Sequence, residues 1–186
     1  GRGQLPSWSP TAEVIASLGE ADLIIASGAG YEKWTETATL PMSKFVNAAA
    51  ALPLIEIEGV AHSHGPEGEH SHTGVDPHVF TDPLAYLAQA QSIHSALTAA
   101  DPDGRAAYDA NLAALRADLE ALDAELKQVT APLQSLALAA NHPSFNYLAR
   151  RYGLSIRTFD LDPEAAPAAT TVAELEAWMT SPARRP

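Results

Sequence analysis

Val14, Ile15 and Leu18 recur at helical spacing behind Ser9 and Thr11, either of which can cap a helix over residues 11–21. The apolar run Asp22-Leu23-Ile24-Ile25-Ala26 follows and is closed by Ser27-Gly28-Ala29-Gly30. A short continuous run ending in a glycine turn predicts a buried parallel strand. Residues 31–37 predict the start of another helix ahead of Pro41, and Leu54-Ile55-Glu56-Ile57 a second strand. Residues 61–75 have no periodicity and read as a loop of His, Gly, Glu and Ser. Asp82-Pro83 then opens a helix, with Asp at the cap and Pro at the first helical position. Leu84, Leu87, Ala90, Ile93 and Leu97 mark its apolar face, and His94, beside Gln91 and Thr98, reads as an ordinary surface histidine.

Asp101-Pro102-Asp103-Gly104 breaks the chain, and a long helix is expected to run on to residue 130. Its seam is Tyr108, Leu112, Leu115, Leu119, Leu122, Leu126 and Val129, and Arg116–Glu120 and Asp123–Lys127 are spaced for pairs on the exposed face. At 1.5 Å per residue the rod is roughly 40 Å long. A coiled-coil seam and a helix packed along two lobes both fit this pattern. Residues 136–140 predict a strand, 141–144 a turn, 145–152 a helix stopped by Gly153, 154–161 a further strand and 172–179 a last helix. Alternating strands and helices on both sides of the rod predict an α/β fold with small parallel sheets. The expected division is an N-terminal lobe 1–101 carrying the His-rich loop 61–75, a linking helix 102–130, and a partial C-terminal lobe 131–186. About two strands per lobe is few for an open sheet, so the fold is expected to be incomplete at both ends.

Composition narrows the function. The 186 residues carry 11 Lys+Arg against 23 Asp+Glu, a formal charge of −12. Nucleic acid and anionic membrane, which need basic patches, are poor partners for such a surface. No apolar run approaches the length that crosses a bilayer, and no charged-then-apolar leader opens the sequence. Cysteine is absent, which excludes thiolate metal sites, catalytic thiols and disulfides and suits an oxidising compartment.

Seven histidines are therefore the soft metal-ligand inventory, and four of them fall in HSHGPEGEHSH: His62, His64, His70 and His72. Two His-x-His pairs with Glu67 and Glu69 between them suit a dication, and imidazole takes Zn, Cu, Ni or Fe. A polar loop with no ligand is the structural alternative. His78 sits in the proline-flanked frame Asp76-Pro77-His78-Val79-Phe80-Thr81-Asp82-Pro83, which can pre-position a ligand. His142 follows a predicted strand and precedes a helix, where open α/β sheets bind ligands. A histidine packed at a helix entrance and one satisfied within a turn are the alternatives for these two. The chain has no Gly-x-Ser-x-Gly elbow, no His-Glu-x-x-His helix, and only Gly28-Ala29-Gly30 in place of a dinucleotide fingerprint.

Several stretches together resemble the substrate-binding component of bacterial zinc/manganese ABC transporters. They are Trp8-Ser9-Pro10-Thr11, Ala21-Asp22-Leu23-Ile24, Gly28-Ala29-Gly30-Tyr31-Glu32-Lys33-Trp34, the His-rich loop, the Asp-Pro-His frame from Asp76 to Pro83, and the run from Asn141-His142-Pro143-Ser144 to Arg150-Arg151-Tyr152-Gly153-Leu154. The resemblance implies two α/β lobes bridged by one long helix, with the metal between them. It implies His78 and His142 as direct metal ligands. His142 in place of a glutamate, and the acidic His-rich loop, resemble the zinc-type members, with His62, His64, His70 and His72 as accessory metal residues. The chain departs from the family at Pro6, where a ligand histidine is usual. The resemblance implies a carboxylate ligand in the last part of the second lobe, which is expected to lie beyond residue 186.

The function expected on this resemblance is an extracytoplasmic or periplasmic solute-binding protein that captures Zn²⁺, with Mn²⁺ or another divalent cation as the variant. It is expected to perform no bond chemistry, to act as a monomer, and to deliver metal to a membrane ABC permease, with a periplasmic metallochaperone as a further partner. A metal-dependent hydrolase using the His-rich loop and a degenerate, non-binding α/β fragment are the alternatives.

Overall fold

The structure is a computed structural model that describes residues 9–63, 69–159, 161 and 165–180, with backbone alone for 58–63 and 69–73. It is a helix-rich α/β fold. The elements in order are α1 (Ala12–Glu20), β1 (Ile24–Ala26), β2 (Phe45–Asn47), β3 (Glu56–Ser63), β4 (Glu69–Val75), α2 (Pro83–Ala100), α3 (Arg105–Thr130), β5 (Ala137–Ala140), α4 (Asn146–Tyr152), β6 (Ser155–Thr158) and α5 (Ala169–Met179). The described residues hold three two-stranded sheets. β1–β2 and β5–β6 are parallel and β3–β4 is antiparallel.

Two compact units share the chain: residues 1–53 with 84–120, and residues 54–83 with 121–186. In the first unit Thr11 caps α1, its Oγ1 accepting from the Val14 N–H at 3.4 Å. β1 alternates buried Ile24 and Ala26 with half-exposed Ile25, and pairs with β2 in the register Ile24↔Phe45. The turn after β1 is left-handed at three successive residues, Gly28, Ala29 and Gly30. The Glu32 carboxylate reaches back to accept from the Ser27 and Gly28 N–H groups at 2.9 and 3.2 Å. A Cβ on Gly28 would collide with Asn47 Oδ1, so this position requires glycine. Residues 31–37, expected to start an α-helix, hold only the 3₁₀ turn Lys33–Glu36. Tying Glu32 into the preceding turn removes the residue that would have begun a longer helix.

The second unit is built around Val79, Tyr147, Tyr152, Leu154 and Phe159, all buried. Gly153, left-handed at φ 64°, ends α4, and its N–H bonds the Ala149 carbonyl. β5 and β6 pair in the register Ala137↔Ser155, and the Trp178 indole N–H on α5 donates to the Leu138 carbonyl at 2.7 Å.

Three expectations are corrected here. The second strand does not join β1 in a parallel sheet; β2, a three-residue strand, takes that place. The segment from Glu56 instead pairs antiparallel with β4. Most of the His-rich loop 61–75 is accordingly strand. Val60 pairs with His72, Ala61 with Ser71, and His62 with His70. A residue pattern without strict alternation hid a hairpin whose pairing slips between Ile57 and Val60. His64 lies outside the described residues, as does Pro6.

Candidate metal centre

The His78 segment is braced locally by its own backbone. The His78 carbonyl accepts from Thr81 N–H at 3.1 Å and Thr81 Oγ1 at 2.8 Å. This closes the 3₁₀ turn Val79–Thr81 immediately after the histidine. Just upstream, Asp76 is 1% exposed. Its Oδ1 accepts from the His78 N–H at 2.9 Å and meets the imidazole Nδ1 at 2.8 Å. Its Oδ2 accepts from the Asn146 side-chain amide at 2.8 Å.

Burial opposes charge on Asp76. The His78 ring and backbone N–H, with the Asn146 amide, outweigh that opposition and hold its carboxyl below the usual range. An ionised carboxylate only accepts, so Nδ1 carries the hydrogen and donates it. In the neutral ring the other nitrogen, Nε2, is then the one with a lone pair to offer a metal. Carboxylates arranged in this way fix the tautomer and orientation of metal-ligating histidines.

His142 is brought to the same place by α4. The segment from His142 to Pro143 feeds into that helix. There Tyr147, 1% exposed, donates its phenol to the Asp76 carbonyl at 3.0 Å and accepts from the Ile55 N–H at 3.0 Å. Helix α4 is thereby held against the His78 segment. The two imidazoles stand edge to face, with centroids 5.4 Å apart and planes at 90°. With Zn–N bonds of about 2.0–2.1 Å, two imidazoles on one tetrahedral ion place their centroids roughly 5 Å apart. The Phe80 ring lies 6.0 Å from His78, and Phe80 and Phe145 are both half-exposed.

His78 and His142, singled out from sequence, are thus adjacent within one unit. His62 and His70 are direct partners in the β3–β4 register, and His72 lies two positions along from His70. Their side chains lie outside the described residues. Among the described residues, no group of three or more His, Asp or Glu side chains could hold an ion. His94 is partnered rather than solvated, its Nε2 meeting Asp109 Oδ1 at 2.7 Å.

Sequence reasoning placed Asp76 in a rigid frame but did not give it the orienting role. It missed Asn146 and Tyr147 altogether. The available signal was an acidic side chain two residues before a candidate ligand, a spacing that lets a carboxylate fold back onto the ring.

The chain is similar to several known proteins whose descriptions name zinc. The chain is 30% identical to the zinc-binding lipoprotein AdcA of Streptococcus pneumoniae serotype 4 (strain ATCC BAA-334 / TIGR4), over 96% of this chain and 37% of that protein. It is 29% identical to the high-affinity zinc uptake system protein ZnuA of Bacillus subtilis (strain 168), over 92% of this chain and 56% of that one. The chain therefore spans roughly a third to a little over half the length of these relatives. A solved structure described as ZnuA superposes with a TM-score of 0.71 at 30% identity, covering 92% of this chain and 63% of the other. The profile of the ZnuA family, "zinc-uptake complex component A periplasmic", matches residues 3–181. Spanning nearly every residue, that match places the chain in the ZnuA family.

Proposed function

We propose that the chain is the metal-capturing part of an extracytoplasmic solute-binding protein that takes up Zn²⁺ and delivers it to a membrane ABC permease. His78 and His142 are two of the metal's ligands in this reading. The observation that carries it is the pair of imidazoles 5.4 Å apart, one of them oriented by a buried carboxylate. Membership of a zinc-uptake family and zinc-binding relatives support Zn²⁺ as the cargo. The same family supports a transport component that performs no bond chemistry, and gives no support to a hydrolase. Lipoprotein and periplasmic relatives support an extracytoplasmic location. No helix among the described residues is long and apolar enough to cross a membrane. The protein acts as a monomer, and a periplasmic metallochaperone is its second partner.

Two imidazoles leave a tetrahedral ion short of donors. In this reading His62, His64, His70 and His72 serve as accessory donors. Zinc titration by competition with a chromogenic chelator tests the assignment. His78→Ala and His142→Ala each weaken zinc far more than deletion of residues 62–72. Binding also weakens as pH falls from about 7.5 to about 5.5, because a ligating imidazole must be deprotonated. The opposite ranking would move the principal site to the hairpin.

A further inference from the structure

Beyond the two imidazoles and Asp76, the second unit contains a buried charge cluster that reaches the same segment from its other end. Arg151, on α4, sets its Nε 2.6 Å from Asp123 Oδ1 and 3.3 Å from Asp82 Oδ1. All three side chains are largely buried, at 18%, 7% and 10% exposure. Asp82 closes the turn that begins at His78, its N–H donating to the Val79 carbonyl at 3.1 Å. The seven residues from Asp76 to Asp82 are therefore attached to α4 at both ends. Asn146 holds Asp76 at one end and Arg151 holds Asp82 at the other. Helix α4 also carries the chain on from His142, so the same two attachments relate one imidazole to the other.

We propose that Arg151 is a positioning residue for the metal pair. It bridges Asp82 and Asp123 so that the His78 turn keeps a fixed place relative to α4 and His142. The proposal rests on His78 and His142 being metal ligands. Asn146 and Tyr147 both hold Asp76, so without Arg151 these bonds would attach the segment to α4 at its upstream end only. A second attachment removes freedom that would otherwise have to be lost when the ion binds. Asp123 supplies the counter-charge that keeps the guanidinium in place. Its Oδ2 is 2.8 Å from Lys127 Nζ, and Tyr152 donates at 2.9 Å to Oδ1, the oxygen that Arg151 also meets. A guanidinium presents its donors in a rigid planar fork, whereas a lysine ammonium is a point charge on a flexible stem and fixes two carboxylates less tightly.

The test uses Asp82→Asn and Arg151→Lys in the 186-residue chain, with His78→Ala as the control. Zinc affinity, thermal melting and the visible absorption of the Co²⁺-loaded protein are the readouts. Asn suits a cap position about as well as Asp does, so Asp82→Asn removes the charge that Arg151 pairs with and keeps a residue fit to start the helix. Both variants are expected to melt within a few degrees of the parent, bind zinc about tenfold more weakly, and shift the Co²⁺ bands, which report ligand geometry. Parental zinc affinity and parental Co²⁺ bands in Asp82→Asn would overturn the proposal, whether or not Arg151→Lys folds. If His78→Ala loses zinc while Asp82→Asn keeps it, the bridge alone fails. If His78→Ala also keeps zinc, the metal assignment fails with it.

Discussion

At the scale of single residues, the informative side chain is Asp76. A nearly fully buried carboxylate is costly unless its charge is satisfied, and here both oxygens are engaged, by His78 and by Asn146. Asp76→Asn preserves size but replaces a charged acceptor with a neutral amide. The amide no longer fixes the hydrogen on Nδ1 of His78, so Nε2 is presented as a lone pair only part of the time. Zinc affinity is expected to fall by about 10–100-fold, the usual effect of removing a partner behind a ligating histidine. The Tyr147 phenol bonds the Asp76 backbone carbonyl, and that contact is unaffected by the change. Competition titration checks the prediction, and an Asn variant that binds zinc like the parent would remove the orienting role. Histidines 78 and 142 were singled out in the sequence by a proline-flanked frame for one and a strand–helix junction for the other. The Asp76–Asn146 bond was not, because local spacing carries no information about partners 70 residues apart.

At the scale of elements, the long helix shows where periodicity stops being sufficient. Its limits were legible from the Asp-Pro-Asp-Gly break and the sustained three–four repeat, and α3 runs Arg105–Thr130. The seam was legible through Leu119, which is buried. Beyond it, Leu122 and Val129 are exposed at 43% and 62%, while Asp123 and Thr130 are buried. Neighbouring positions on a helix differ by only about 100°, so a three–four pattern cannot separate 122 from 123. The choice is made by α4, whose Arg151 and Tyr152 both bond the Asp123 carboxylate. The expected Asp123–Lys127 pair forms at 2.8 Å, but on a buried carboxylate rather than on an exposed face.

Arg151 acts first and most strongly to hold the Asp123 carboxyl well below the usual range, against the effect of burial. Burial first, and then the Asp123 hydrogen bond, push the Tyr152 phenol up to about 12. A carboxyl titrating lower in the folded state contributes stability above its unfolded value, about 3.9, and loses it progressively as pH falls below that. Asp123→Asn should therefore lower stability near pH 7 by about 3 kcal/mol, as breaking a buried pair does. The gap from the parent should shrink below about pH 4. Denaturant melts at pH 7 and pH 3 measure both gaps, and equal gaps would show that the pair does not carry this pH dependence.

At the scale of the whole molecule, the second unit gathers two separate stretches of chain, 54–83 and 121–186, and both imidazoles belong to it. Chain order alone conceals this, because a hairpin and a turn from the first half of the sequence join the strands and helices of the second. The net charge of −12 attracts any dication, but such fields are screened within about 8 Å at physiological salt. Selectivity must therefore come from the local donors, and so must the pattern of stabilisation on binding. A ligand that binds only the folded state at about 100 times its dissociation constant adds roughly 2.7 kcal/mol of stability, a factor of about 100 in opening. Hydrogen exchange should slow by up to this factor at 76–82 and 142–152 when zinc saturates the chain. Amides of β1 and β2, which belong to the other unit, should change little. Mass-spectrometric exchange with and without zinc resolves these segments. Protection confined to 56–75 would place the ion on the hairpin, and equal protection of β1–β2 would mean that the stabilisation is not local to the second unit.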